Sequence, residues 1–256
     1  MPTKEFDWSS WKIIAGPCAA ESKEQIVQTA RGVAKSGGDI LRAGLWKPRT
    51  NPDTWQGAGD EAAEWMREAK KITALAITTE VKDGNSLDLA LKAEFDILWI
   101  GSRSAQHYPL LKEVGKATSD SQLPVILKRG MGSDLEEWLG AANYIQRYNS
   151  NIILCERGIK GFPKDTRNVL DLQTAKLAQQ ESGLPVIIDV SHAAGRKDLI
   201  TPMALAAKAA GFNGLMVEVH PCPEEARTDA KQQISIEEFS KLMYLLNLIP
   251  NNLSNR

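Results

Sequence analysis

Pro185-Val-Ile-Ile-Asp-Val-Ser-His192 decides how the chain is read. Three consecutive branched apolar residues leave no polar face, which suits a parallel strand covered by helices on both sides. The run then closes on a histidine. Seven other runs share this form: Lys12–Pro17, Asp39–Gly44, Leu75–Val81, Ile97–Ser102, Pro124–Gly130, Asn151–Gly158 and Gly214–Pro221. Consecutive starts lie 22 to 36 residues apart, the length of one strand plus one helix. Eight repeats predict an α/β fold, a single (β/α)8 TIM barrel filling residues 1–256 with no separate regulatory domain. An open doubly wound sheet is the alternative, but the chain carries no glycine-rich dinucleotide turn.

The segments between runs read as helices. Ser22-x-x-Gln25, Ser133-x-x-Glu136 and Ser235-x-x-Glu238 fit capping boxes. Leu135, Trp138, Leu139, Ala142 and Ile145 recur at helical spacing, and Pro202 and Gly211 bracket a helix over Met203–Ala210.

Composition is ordinary for a globular protein, with 43% hydrophobic and 25% charged residues. A net charge of −1 argues against nucleic-acid binding, which needs a surplus of Lys and Arg. Three widely spaced cysteines, Cys18, Cys155 and Cys222, do not form a disulfide framework and suit a reducing cytosol. With no secretory pattern at Met1–Trp11 and no apolar stretch near the ~18 residues that span a bilayer, the expectation is a cytoplasmic protein with no membrane partner.

In a barrel the strand C-terminal ends meet at one mouth. Here that mouth receives Cys18, Arg42, Glu80, Arg103, Lys128, Arg157, His192 and Glu218. Cys18, His192 and Glu218 come from the ends of strands one, seven and eight, neighbours around the ring, and Asp229 follows in the next loop. A thiolate, an imidazole and two carboxylates suit a borderline divalent ion such as Zn, Mn or Fe. Taken singly, each has a plainer reading, a buried cysteine as packing and a strand-end histidine as structure. The cations Arg42, Lys47, Arg49, Arg103, Lys128 and Arg157 form a second set. Lys128 and Arg157 directly follow apolar runs, and burying such charges costs several kcal/mol unless anions answer them. Phosphate and carboxylate groups are the natural counterparts of arginine forks.

Six separated segments occur in one order: Ala15-Gly-Pro-Cys18, Leu41-Arg-Ala-Gly-Leu-Trp-Lys-Pro-Arg-Thr50, Leu127-Lys-Arg-Gly-Met131, Leu154-Cys-Glu-Arg-Gly-Ile159, Asp189-Val-Ser-His192 and Val217-Glu-Val-His-Pro221. Together they resemble the 3-deoxy-D-arabino-heptulosonate 7-phosphate (DAHP) synthase family, in its short type Iβ branch. The resemblance implies a transferase that condenses phosphoenolpyruvate with erythrose 4-phosphate, the first step of the shikimate route to chorismate and the aromatic amino acids. It implies a divalent metal (Mn, Fe, Zn or Co) on Cys18, His192, Glu218 and Asp229. Phosphoenolpyruvate would lie on Arg42, Lys47, Arg103, Lys128 and Arg157. Erythrose 4-phosphate would lie on Lys47, Pro48, Arg49, Thr50 and Ser102. Lys47 would give a proton to the new alkoxide and Glu80 would orient the attacking water, unless Glu80 merely pairs with Lys128 or an arginine. The resemblance also implies a homo-oligomer, dimer or tetramer, with a chorismate mutase as candidate partner. Without an added effector domain, the barrel is not expected to be inhibited by Phe or Tyr.

Three departures from the family pattern stand out. Val190 replaces the usual proline in Asp-Pro-Ser-His, Ser102 and Ser104 flank Arg103 in place of Ala and Asn, and Ala230 replaces the glycine after Asp229. Ala230 bears on the turn there, because glycine enters φ > 0 freely. His220 is read as supporting the ligands rather than joining them, and Cys155, Cys222, His107 and most tryptophans as packing or surface. Three other functions stay open. One is 3-deoxy-8-phosphooctulonate (KDO8P) synthesis from arabinose 5-phosphate, whose enzymes carry Ala-Asn where this chain has Pro48-Arg49. The others are a Schiff-base aldolase using Lys128 and a non-catalytic barrel that binds or regulates a partner.

Overall fold

The computed structural model describes residues 6–47, 51 and 53–250. Eight parallel strands close in sequence order, β1 (Lys12–Gly16), β2 (Ile40–Arg42), β3 (Ala76–Val81), β4 (Ile97–Ile100), β5 (Val125–Lys128), β6 (Ile152–Glu156), β7 (Val186–Asp189) and β8 (Gly214–Glu218), and β8 pairs back onto β1. The expected (β/α)8 barrel is therefore the observed one. The outer layer comprises α1 (Lys23–Lys35), α2 (Asp60–Thr73), α3 (Gly84–Lys92), α4 (Tyr108–Ala117), α5 (Leu135–Gln146), α6 (Leu172–Ser182), α8 (Ile200–Ala209) and α9 (Ile236–Asn247). A five-residue helix, α7 (Val190–Ala194), follows β7 directly. Among the described residues no helix is long and apolar enough to cross a membrane.

Alternation along each strand separates two cores. Ile13, Leu41, Leu98, Leu127, Leu154, Ile188 and Val217 face the helices, while Ile14, Ile40, Trp99, Ile126, Ile153, Ile187 and Met216 fill the barrel, joined by Trp8 from the segment before β1. One step of two residues beyond the inner layer lie Arg42, Lys128, Asp189 and Glu218. The inward face of β2, β5, β7 and β8 thus changes from apolar to ionised at the C-terminal end. Gly16 occupies that level on β1, at φ +151, and a Cβ there would collide with the Arg42 carbonyl oxygen. The first strand thereby passes close against the second.

Helix starts follow the sequence with two shifts. Ser22 accepts from Gln25 N–H, although the Gln25 side chain accepts from Glu21 N–H rather than closing a box on Ser22. Ser235 and Glu238 make the full reciprocal box. At α5 the box belongs to Asp134 and Glu137, one residue later than the Ser133 pattern predicts. Its Trp138, Ala142 and Ile145 are buried, while Leu135 and Leu139 are only partly so. The helix bracketed by Pro202 and Gly211 starts earlier, at Ile200, with Pro202 inside its first turn, where no N–H is needed.

Candidate active site

The mouth holds a cleft of about 310 Å³ bounded by Arg42, Lys47, Lys128, Arg157, Arg167 and Arg103, with Glu80, Trp99, Ser102, His192 and Asp229 also on its walls. Arg42 and Lys128 end β2 and β5, Glu80 lies within β3, and Glu218 ends β8. Cys18 lies two residues beyond β1. Three others sit off the strands expected to carry them. Arg103 belongs to the exposed turn after β4, Arg157 follows β6, and His192 lies in α7. Pro48, Arg49 and Thr50 lie outside the described residues.

Cys18, His192, Glu218 and Asp229 each offer a donor atom, and the four atoms lie within 4.8 Å of one another. Cys18 Sγ donates to Asp229 Oδ2 at 3.2 Å and accepts from Lys47 Nζ at 2.9 Å. His192 Nε2 lies 3.4 Å from Glu218 Oε1. That oxygen is buried and accepts no hydrogen bond among the described residues, although the Arg42 guanidinium lies 3.4 Å away, whereas Glu218 Oε2 accepts from Gln232 at 2.6 Å. A soft sulfur, a nitrogen, a carboxylate oxygen that accepts no hydrogen bond and a second carboxylate are a set that a divalent ion fits. Burial pushes the metal-free Cys18 thiol up to about 12, with Glu218 adding to the rise and Lys47 opposing it. For Asp229, burial acts upward, but Arg167, His192 and Lys47 outweigh it and hold the carboxyl below its usual range.

Asp229 has φ 53 and ψ 31, the left-handed conformation, while Ala230 begins a short 3-10 helix. The turn therefore takes its positive φ at Asp229 itself, and aspartate tolerates that region better than most side chains. Alanine at 230 imposes no such strain. His220 shares no hydrogen bond or ion pair with the quartet: its Nδ1 accepts from Cys222 N–H at 3.1 Å and its Nε2 lies 3.9 Å from Glu21 Oε2.

Arg42 is 1% exposed, and its Nη2 meets Glu218 Oε1 at 3.4 Å and donates to the Cys18 carbonyl at 3.2 Å. Its Nε and Nη1 have no acceptor among the described residues. Leaving two buried donors of a cation unmet costs about 1–3 kcal/mol each. An anion in the cleft would remove that cost. Trp99 forms the floor, its ring 4.9 Å from the Arg42 guanidinium and 5.4 Å from Lys128 Nζ. Lys128 Nζ donates to Asp189 Oδ2 at 2.6 Å. A lysine ion-paired to a carboxylate lacks the apolar pocket that is one route to a Schiff-base nucleophile, the other being neighbouring cations.

Sequence reasoning left out several participants. Arg167 bridges Asp229 Oδ1 at 3.2 Å and Gln232 Oε1 at 2.7 Å, and Gln233 Oε1 accepts from Cys18 N–H at 3.0 Å. Asp189 was visible only as a member of its motif. Behind the cleft Arg129 Nη1 pairs with Glu156 at 3.1 Å and Asp171 at 2.9 Å. Glu156 Oε1 also accepts from Gly158 N–H at 2.6 Å. Burial raises the Glu156 carboxyl above its ordinary value against the pull of Arg129.

Residues 9–250 match the DAHP synthetase I family. A phospho-2-dehydro-3-deoxyheptonate aldolase of Thermotoga maritima is 43% identical over 90% of this chain and 67% of its own length. A crystal structure of that activity from the same organism superposes with a TM-score of 0.89 at 41% identity, covering 94% of this chain and 69% of the other. A truncated form of the Thermotoga maritima 3-deoxy-D-arabino-heptulosonate 7-phosphate synthase gives a TM-score of 0.85 at 38% identity, covering 94% and 86%. A 2-dehydro-3-deoxyphosphooctonate aldolase of Alkalilimnicola ehrlichii is more distant, 24% identical over 91% of this chain and 88% of its own.

Proposed function

This chain belongs to the DAHP synthetase I family, and from that premise we propose that it is a 3-deoxy-7-phosphoheptulonate synthase. It joins phosphoenolpyruvate, D-erythrose 4-phosphate and water into DAHP and phosphate. The observation that carries this reading is the cleft in which Arg42, Lys128 and Arg157 converge beside the four metal-capable groups, with Nε and Nη1 of Arg42 buried and without an acceptor among the described residues.

Arg42, Lys128, Arg157 and, at the rim, Arg103 hold phosphoenolpyruvate. Lys47, Ser102 and the Pro48-Arg49-Thr50 stretch receive the sugar phosphate. Fixing two anions that repel in water turns a bimolecular encounter into a positioned one. C3 of phosphoenolpyruvate bonds to the aldehyde carbon, a water oxygen bonds to C2, and phosphate leaves from C2. Lys47, already beside Cys18, stands where the aldehyde oxygen gains charge and gives it a proton. Glu80 faces the cleft from β3 and orients the water. A divalent ion (Mn, Fe, Zn or Co) on Cys18, His192, Glu218 and Asp229 supplies Lewis acidity toward the aldehyde oxygen.

The setting belongs to the same proposal: a single catalytic barrel in the cytoplasm, assembled as a dimer or tetramer, with no nucleic-acid or membrane partner. A chorismate mutase is the candidate regulatory partner. Rates with phosphoenolpyruvate and either erythrose 4-phosphate or arabinose 5-phosphate test the reading. A preference for arabinose 5-phosphate would overturn it in favour of KDO8P synthesis.

A further inference from the structure

The buried carboxylate of Asp189 belongs to neither ligand group, yet it touches one member of each. Its Oδ2 accepts from Lys128 Nζ at 2.6 Å and lies 2.9 Å from His192 Nδ1, while its Oδ1 accepts from the His192 N–H at 3.1 Å. We propose that Asp189 is a positioning residue that couples the two halves of the site, so that an anion on Lys128 tightens the hold of His192 on a divalent ion. The anion is taken from the functional reading above, on which this inference rests.

The geometry leaves the carboxylate little freedom. Asp189 is fully buried, it caps α7, and the same short helix sends Ser191 Oγ to accept from Glu218 N–H at 2.9 Å. With Asp189 accepting at Nδ1, the proton sits there and the lone pair of Nε2 faces Glu218 Oε1 at 3.4 Å and Asp229 Oδ2 at 4.0 Å. A stronger acceptor behind a ligating imidazole raises its basicity toward a metal.

Lys128, 4% exposed above Trp99, has three N–H donors and gives one to Asp189. An anion in the cleft draws on the same ammonium. Oδ2 is then less committed to Lys128 and accepts more strongly from His192. By thermodynamic reciprocity a bound ion strengthens anion binding by the same factor. Direct attraction between a cation and an anion acts in the same direction, so the test separates the part that passes through Asp189.

Mn²⁺ is titrated into metal-free protein with and without phosphoenolpyruvate, for the wild type and Asp189→Asn. The variant should bind Mn²⁺ on the order of 10–100-fold more weakly. It should also lose about fivefold or more of the tightening that phosphoenolpyruvate causes in the wild type. Weaker Mn²⁺ binding with an unchanged tightening factor would make Asp189 merely structural and overturn the proposal. A second readout needs no variant: with three histidines in the chain, the His192 Nδ1–H resonance can be followed in ¹⁵N-labelled, metal-free wild type. Phosphoenolpyruvate alone should move it, and a stationary resonance with the anion demonstrably bound would refute the coupling. Failure of phosphoenolpyruvate to bind the wild type would instead overturn the functional reading beneath it.

Discussion

Lys47 Nζ donates to Cys18 Sγ across 2.9 Å, a direct hydrogen bond between the cationic set and the metal-capable set. Cys18 is also held by Asp229 through its thiol and by Gln233 through its backbone N–H. Removing the sulfur takes a soft ligand from the quartet and an acceptor from Lys47 together. Cys18→Ala is expected to abolish turnover and to lose bound metal, without recovery on adding metal, while its circular dichroism stays native. Metal analysis beside the steady-state assay checks this; wild-type turnover in the variant would refute a role for the quartet.

Metal uptake should release a proton. Burial pushes the Cys18 thiol up to about 12, so at pH 7–8 the metal-free sulfur is protonated. Burial lowers the His192 pKa against the opposing pull of Asp189 and Glu218, which leaves the imidazole neutral. With the thiolate as ligand, one proton leaves per ion, and apparent affinity rises about tenfold per pH unit below the thiol pKa. Calorimetry in buffers of different ionisation enthalpy counts that proton. A count near zero would show that Cys18 does not ligate.

The barrel could be read from the chain because each strand is a local apolar run and the repeat sets the spacing. The charged mouth followed from the same alternation, since Lys128 and Glu218 lie two residues beyond Ile126 and Met216 on one strand face. Contacts between distant segments left no local signal: Asp189 meets Lys128 across a separation of 61 residues, and Arg167 meets Asp229 from another loop. The α5 cap was ambiguous for a different reason. Ser133-x-x-Glu136 and Asp134-x-x-Glu137 are both well-formed patterns, and the local pattern alone does not choose between them; the helix is capped by the second.

Gly101 tests the part assigned to Glu80. A Cβ on Gly101 would collide with Glu80 Oε1, and this flexible end of a half-buried side chain can move aside with little cost to the fold. Gly101→Ala should therefore keep a melting temperature near that of the wild type. If Glu80 orients the attacking water, kcat should fall on the order of 10²-fold, the scale of a 1 Å misplacement. An unchanged kcat would return Glu80 to a structural role.

Arg129 and Glu156 face away from the cleft, Arg129 just beyond the end of β5 after Lys128 and Glu156 at the end of β6 before Arg157, where the two strands pair Lys128 to Cys155. Their ion pair, 3.1 Å long between residues 3% and 0% exposed, sets the backbone from which both cleft cations project. Removing one partner of such a pair costs about 3–5 kcal/mol, because the other charge stays buried without an answer. Arg129→Met should lower the unfolding free energy by about that amount in a denaturant titration, while Arg129→Met with Glu156→Gln should recover part of the loss. The single variant should also raise KM for phosphoenolpyruvate, since Gly158 N–H, beside Arg157, bonds to Glu156. With Glu156→Gln measured alone as well, additive losses across the three variants would show that the two charges are not energetically coupled.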